Sequence, residues 1–305
     1  MIRTLVLVSM MIVGAAAIGF AALQQPAQDK QVIDVEKVKD NLYVLTTSSP
    51  ADRATFSGGN VAVFITEAGV VLVDTKLAAW GDTLLDRIKS VTNKPVTTII
   101  NTHTHGDHTG NNDRFGANVE SIVHENTKAN MARMDAFKGD KAQFLPKRTY
   151  KDKATIGRGR DQVDLYYFGA GHTNGDTFVV FPALRVVHTG DMFAWKGAPF
   201  IDRSNGGSGV EMPRTLEQAI AGIKNVDTVI PGHSPVTTWK DLQEFQRFTS
   251  ELLTATQAAM KAGKSADEAA VALLDVVSKY PGYQPDRVKP AVQAIYEELK
   301  GGGAK

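Results

Sequence analysis

The ten residues NTHTHGDHTG, Asn101 to Gly110, set His103, His105, Asp107 and His108 close together. Imidazoles and carboxylates are the side chains that hold divalent transition ions. Two histidines two positions apart on an extended segment leave the same face and can reach one ion. Asp107 and His108 follow Gly106, a residue that lets the backbone bend, and can point at a second position nearby. A tetrahedral ion held by two histidines needs a third protein ligand and keeps one place open. Three later sites each set such a side chain beside a glycine: Gly171-His172, Gly190-Asp191 and Gly232-His233. His172 is the candidate third ligand of the first ion. Asp107, His108 and His233 make a set for a second, and Asp191, with two carboxylate oxygens, can bridge both. His124 and His188 lack ligand-like spacing and read as structural.

These groups can meet only if the elements carrying them deliver them to one place. NLYVLTT alternates apolar and polar as a half-buried strand does, and GNVAVFITEAGVVLVDT reads as two strands joined by a turn at Glu67-Ala68-Gly69. A helix is expected within Gly81 to Val91, with Leu84, Leu85 and Ile88 on one face. The strand VTTIIN then runs into the histidines. The second half repeats the grammar. VDLYYFGA leads to His172, LRVVHTGD ends at Asp191, a helix is expected over Pro213 to Lys224, and DTVIPGH ends at His233. In layered α/β folds, loops beyond the carboxyl ends of strands converge and gather ligands. From Thr238 onward the pattern is helical, with capping-box spacing at Ser265-Ala-Asp-Glu268 and an amphipathic helix carrying Val288, Val292, Ile295 and Leu299.

The composition is that of a globular protein: 305 residues, 43% hydrophobic, net charge +1. A near-neutral chain lacks the basic face of a nucleic-acid binder. Cysteine is absent, which excludes disulfides, thiolate ligands, a cysteine nucleophile and a lipid-modified cysteine. Arg3 precedes an apolar run from Leu5 to Leu23, followed by QQPAQDKQ. Residues 1–22 therefore read as a secretory signal peptide with a cleavage site at Gly19-Phe20-Ala21, and the run is also long enough for an uncleaved membrane anchor. The expected location is periplasmic or secreted, with membrane contact only if the segment is retained.

His103-x-His105-x-Asp107-His108 followed by AGHTNGD, HTGD and PGH resembles the metallo-β-lactamase superfamily. The resemblance implies an α/β fold, a four-layer αβ/βα sandwich over 31–240, with residues 241–300 forming C-terminal helices packed on it or extending it. By position, His103, His105 and His172 match one metal's ligands, and Asp107, His108 and His233 match the other's. Asp191 matches the bridging aspartate of the glyoxalase II and lactonase branches. Asp74, in VLVDT, matches an aspartate that supports the site from behind.

The chemistry so implied is hydrolysis of a small-molecule carbonyl compound, an ester, lactone, lactam or thioester, by an exported enzyme with two zinc ions, or iron or manganese in their place. Asp107 is expected to orient the attacking water as well as to bind metal. Members dedicated to β-lactams typically have Cys or Ser where this chain has Asp191, which weakens that narrower assignment. Two other readings stay open: a mononuclear iron persulfide dioxygenase, and a non-catalytic periplasmic metal- or ligand-binding protein. The oligomeric state is not legible. Trp195, Lys196 and Arg203 closely follow Asp191, and a cation there can either hold a substrate carboxylate or serve packing and solvation. The glycine-rich stretches Phe56–Asn60 and Phe200–Gly209 read either as mobile lids or as surface turns.

Overall fold

The computed structural model describes residues 32–48 and 50–301. The expected signal peptide lies outside the described residues. Among the described residues, thirteen strands form two sheets. In the first, β1 (Val35–Lys39), β2 (Leu42–Leu45), β3 (Val61–Ile65) and β4 (Val70–Val73) run antiparallel in sequence order. β5 (Val96–Ile100), β6 (Glu120–His124) and β7 (Arg148–Tyr150) then continue parallel to β4. The second sheet has the order β13-β12-β11-β10-β9-β8. Its strands are β8 (Lys153–Ile156), β9 (Val163–Tyr166), β10 (Phe178–Phe181), β11 (Val186–Gly190), β12 (Thr228–Pro231) and β13 (Thr237–Thr238). All its pairings are antiparallel except β11 with β12.

Successive side chains of a strand face opposite ways, so a strand covered on both sides must be apolar throughout. β3 shows the consequence. Ala62 and Phe64 join the core between the sheets, while Val61 and Val63 pack on the outer face with Leu84 and Ile88 of α1 (Gly81–Val91). β10 divides likewise: Val179 and Phe181 face inward, and Phe178 and Val180 face the outer helical layer. Phe64 and Phe181 meet across the central core with ring centroids 5.0 Å apart. The architecture is thus helix, sheet, sheet, helix, the expected αβ/βα sandwich.

The remaining helices are α2 (Gly106–Thr109), α3 (Glu125–Met131), α4 (Met212–Gly222), α5 (Trp239–Lys261), α6 (Ala266–Ala272), α7 (Leu274–Ser278) and α8 (Val288–Gly301). α4 stops short of the expected Lys224. Ile223 is already extended, yet its side chain is buried in the same apolar cluster. Thr238 and Ser265 each cap a helix through a reciprocal capping box, with Asp241 and Glu268 respectively. Leu242, Phe245 and Leu252 of α5 and Val292 and Ile295 of α8 share one cluster with Val187 and Val229 of the second sheet.

Strand direction explains where the site must lie. β9 and β11 both pair antiparallel with β10, so they point the same way, and β12 is parallel to β11. The loops leaving β9, β11 and β12 therefore emerge at one edge of the second sheet. Those loops carry His172, Asp191 and His233.

Candidate metal centre

His103, His105 and His172 bring one nitrogen each to a common point. His105 Nδ1 lies 3.1 Å from His103 Nε2 and 2.9 Å from His172 Nε2. Tetrahedral zinc with bonds of about 2.05 Å would hold its ligand nitrogens roughly 3.3 Å apart, close to this spacing. Asp107, His108 and His233 form a second group: His108 Nε2 is 3.2 Å from His233 Nε2, and Asp107 Oδ2 is 3.6 and 3.4 Å from the two. Asp191 lies between the groups. Its Oδ2 is 3.2 Å from His233 Nε2 and 3.7 Å from His172 Nε2, and its Oδ1 is 3.3 Å from His108 Nε2. That Oδ1 atom is buried without a hydrogen-bond partner among the described residues, as a carboxylate oxygen is when its partner is an ion. The donor set and its spacing therefore fit divalent metal.

The outer nitrogens are tied down, which turns the inner ones toward the centre. His105 Nε2 donates to Asp202 Oδ2 (2.7 Å), His108 Nδ1 to Asp74 Oδ2 (2.7 Å) and His172 Nδ1 to the Phe200 carbonyl (2.8 Å). His103 Nδ1 lies 3.0 Å from Thr102 Oγ1, and that hydroxyl donates to Asp74. Asp74 is fully buried with φ +68° and also accepts from the Thr102 amide, so one carboxylate steadies two imidazoles.

Burial holds His103 well below the usual imidazole range, with the cluster of neighbouring imidazoles adding to it, and burial also lowers His172. For His105 and His108 burial acts the same way but loses. The Asp202 hydrogen bond raises His105, and Asp107 and Asp191 raise His108 well above its ordinary value. Asp191 is held well below the carboxylate range: burial opposes this, but His233 and His108 prevail. A cation at this centre would compete with the protons that the neighbouring carboxylates favour on His105 and His108.

The family model of the metallo-beta-lactamase superfamily matches residues 54–235. The chain belongs to the metallo-β-lactamase superfamily. It is a metallo-hydrolase of that fold. The metallo-beta-lactamase type 2 of Elizabethkingia meningoseptica is 27% identical over 259 residues, covering 81% of this chain and 95% of its own. The metallo-beta-lactamase IND-1 of Chryseobacterium indologenes is 25% identical over 218 residues, covering 70% and 86%. A metallo-beta-lactamase structure from Pontibacter korlensis superimposes with TM-score 0.61 at 22% identity, over 72% of this chain and 99% of that one.

Several details of this member differ from what its sequence suggested. Gly106 opens α2 with an ordinary φ and room for a Cβ, so the bend there needs no glycine freedom. The stretch Ser57–Asn60 is neither lid nor surface turn. It is buried beneath the site, where Gly59 N donates to Asp107 O and Asn60 Nδ2 donates to the carbonyls of Pro231 and Ser234. Any side chain at Gly59 would enter the His108 ring, and one at Gly232 would strike Asp191 Oδ1. These glycines permit close approach rather than motion.

Of the residues after Asp191, Trp195 lines the cleft over the centre. Lys196 does not. Its ammonium pairs with Asp241 (2.6 Å) and Glu244 (3.6 Å) on α5. Arg203 donates to Gly207 O and pairs with Glu298 at 3.4 Å. Both follow the packing reading, because a carboxylate on a neighbouring helix lies within their reach.

Three residues were missed. Asp202 hides in a loop noted only for its glycines. Its single local signal is the Asp-x-Ser-Asn run, whose Ser204 and Asn205 amides donate to its carboxylate. Burial would raise its pKa, but bonds from His105, Ser204 and Asn205 hold it far below the carboxylate range. Lys76, fully buried with φ +64°, donates to Thr46 O, and burial pushes its pKa down to about 7. Arg287 reaches the cleft from the C-terminal region. His124 and His188 stay outside the centre: His124 caps α3, and His188 on β11 donates to the Asn60 carbonyl.

Proposed function

We propose that the chain is an exported dinuclear zinc hydrolase that cleaves a carbonyl compound: an ester, lactone, lactam or thioester. His103, His105 and His172 would hold one ion, and Asp107, His108 and His233 would hold the other. Asp191, set between the two groups, would serve both, a ligand set like that of glyoxalase II. The catalytic domain runs over 31–240, and the helices of 241–300 extend it. The observation carrying this reading is the position of Asp191, whose Oδ2 lies within 3.7 Å of a nitrogen from each group.

Bound divalent ions supply Lewis acidity, which brings water's pKa close to neutrality and polarises an acyl oxygen. The chain's own residues do the rest. Asp107 is the most exposed carboxylate of the centre, with 21% of its side chain accessible against 7% for Asp191. It faces the cleft and can hold the proton of an attacking water and orient its lone pair. Asp74 and Asp202 fix the imidazoles. Phe56, Leu77, Trp195 and Phe200 give a cleft of about 480 Å³ apolar walls, which strengthens electrostatic interactions within it.

Metal analysis of the purified protein tests the reading. About two zinc ions per chain, with hydrolysis lost on chelation and restored by zinc, is the expected result. Full hydrolysis by metal-free protein would end the proposal. One iron per chain, with oxygen uptake on a persulfide, would replace it with the dioxygenase chemistry.

A further inference from the structure

We propose that Arg287, carried by the C-terminal segment beyond the family-matched region, is a specificity-determining residue that selects acyl substrates bearing an anionic group. The inference rests on the hydrolytic reading above and names the substrate class of the same site.

The segment before α8 is docked onto the loop that follows Asp191. Gln284 N donates to Lys196 O (3.0 Å), and Gln284 bridges Gly197 as one rung of parallel sheet. Tyr283 on one side of Arg287 and Val288 on the other are buried in the helical-layer core, and the Tyr283 ring packs 4.7 Å from Phe248. Arg287 is therefore held by anchors before and after it rather than waving from a tail. Its guanidinium lies over two aromatic faces of the cleft, 4.9 Å from the Trp195 ring centre and 5.7 Å from that of Phe200. Stacking on a ring uses the face of a guanidinium and leaves the in-plane N–H groups free to donate.

Those N–H groups have no hydrogen-bond or carboxylate partner among the described residues. The contrast with the other nearby cations is direct: Lys196 is taken by Asp241 and Glu244, and Arg203 by Glu298. Arg287 lines the same cleft as His105, Asp107, Asp191 and His233, and it also lines an adjoining hollow of about 590 Å³ with Trp195 and His233. Asp286 borders that hollow without pairing with it. A forked donor at the rim of an apolar cleft, with metal-ligating groups at its floor, matches an acyl compound whose carbonyl sits over the centre. A carboxylate elsewhere on that compound would reach the rim.

The test compares metal-loaded wild type with Arg287→Gln and Arg287→Lys on a matched pair of esters. These are mono-4-nitrophenyl glutarate, which carries a free carboxylate, and 4-nitrophenyl pentanoate, which does not. The ratio of kcat/KM for the anionic over the neutral ester is expected to fall tenfold or more in Arg287→Gln and less in Arg287→Lys. In wild type the ratio should shrink as ionic strength rises. Calorimetric titration with 4-phenylbutyrate and its amide reads the same subsite without hydrolysis. Carboxylate preference should be present in wild type and lost in Arg287→Gln. A residue that only packs the segment would alter Tm and leave both ratios alone. Ratios within twofold of wild type in Arg287→Gln, at unchanged metal content, overturn the proposal. If neither ester is cleaved, esters leave the substrate list of the hydrolytic reading, and the titration still decides the role of Arg287. If Arg287→Gln does not fold, the salt dependence of the wild-type ratio decides it instead: a flat ratio overturns the proposal.

Discussion

Asp202 accepts a hydrogen bond from His105, Oδ2 to Nε2 at 2.7 Å, across 97 residues of chain. The bond fixes which nitrogen of His105 carries the proton, leaving the Nδ1 lone pair for the centre. Asp202→Ala should weaken metal affinity by about 10–100-fold, the usual effect of removing such a partner. Competition with a chromogenic chelator measures it. An unchanged affinity would mean that packing alone orients the ring.

Asp107 is expected to separate chemistry from stability. Asp107→Asn should lower kcat by about 10²–10⁴-fold if the carboxylate manages a proton in the rate-limiting step. Its side chain is partly exposed, so Tm of the metal-free protein should move little. A small kcat loss matched by a large fall in zinc content would assign Asp107 to binding only.

Metal should stabilise the fold. An ion present at a hundred times its Kd contributes about 2.7 kcal/mol. At roughly 2–4 °C per kcal/mol for a domain of this class, chelation should lower Tm by about 5–10 °C. Scanning calorimetry with and without chelator, followed by zinc re-addition, reads it. A Tm indifferent to chelator would contradict a centre of this occupancy.

His188 is fully buried, and burial pushes its pKa down to about 4, below the unfolded value near 6.5. Between those values the unfolded chain binds a proton that the folded chain refuses. The stability is present above about pH 6.5 and is lost as pH falls toward 4, by up to about 3 kcal/mol. His188→Gln should reduce the slope of stability against pH in that window. Urea titrations at several pH values compare the slopes, and parallel curves would refute the assignment.

Gly59→Ala tests close packing. The new methyl would enter the His108 ring, and that ring cannot retreat because Asp74 holds Nδ1. Overpacking of this kind costs about 1–3 kcal/mol. A loss of the ion held by His108 ahead of the other should accompany it, seen as zinc content falling toward one per chain. Two retained ions and an unchanged Tm would show that the loop yields.

The readable parts of the fold were those whose signals are local. β3 and β4 are apolar on both faces, and α1 spans the expected Gly81–Val91. The capping box at Ser265 lies within four residues. Not legible are β10, buried throughout but only four residues long and framed by Thr177 and Pro182, and β6, β7 and β8. β6, β7 and β8 are three to five residues long with exposed positions, and β7 and β8 are sheet edges, where one-sided cover removes the apolar run that marks a strand. The family's ligand motifs were legible for the same local reason, since each sits at a strand end beside a turn.

From sequence alone came the kinds of donor, their clustering and the periodicity of the elements beneath them, because these are properties of neighbouring residues. Long-range contacts chose the partners. Lys196 and Arg203 were as eligible for the cleft as Arg287, and the placement of acidic side chains on α5 and α8 withdrew the first two. Asp202 became the support of His105 only because its loop folds back over the centre. A side chain's chemistry is written in its own residue, but its availability depends on which charges and rings the rest of the chain brings within a few ångströms.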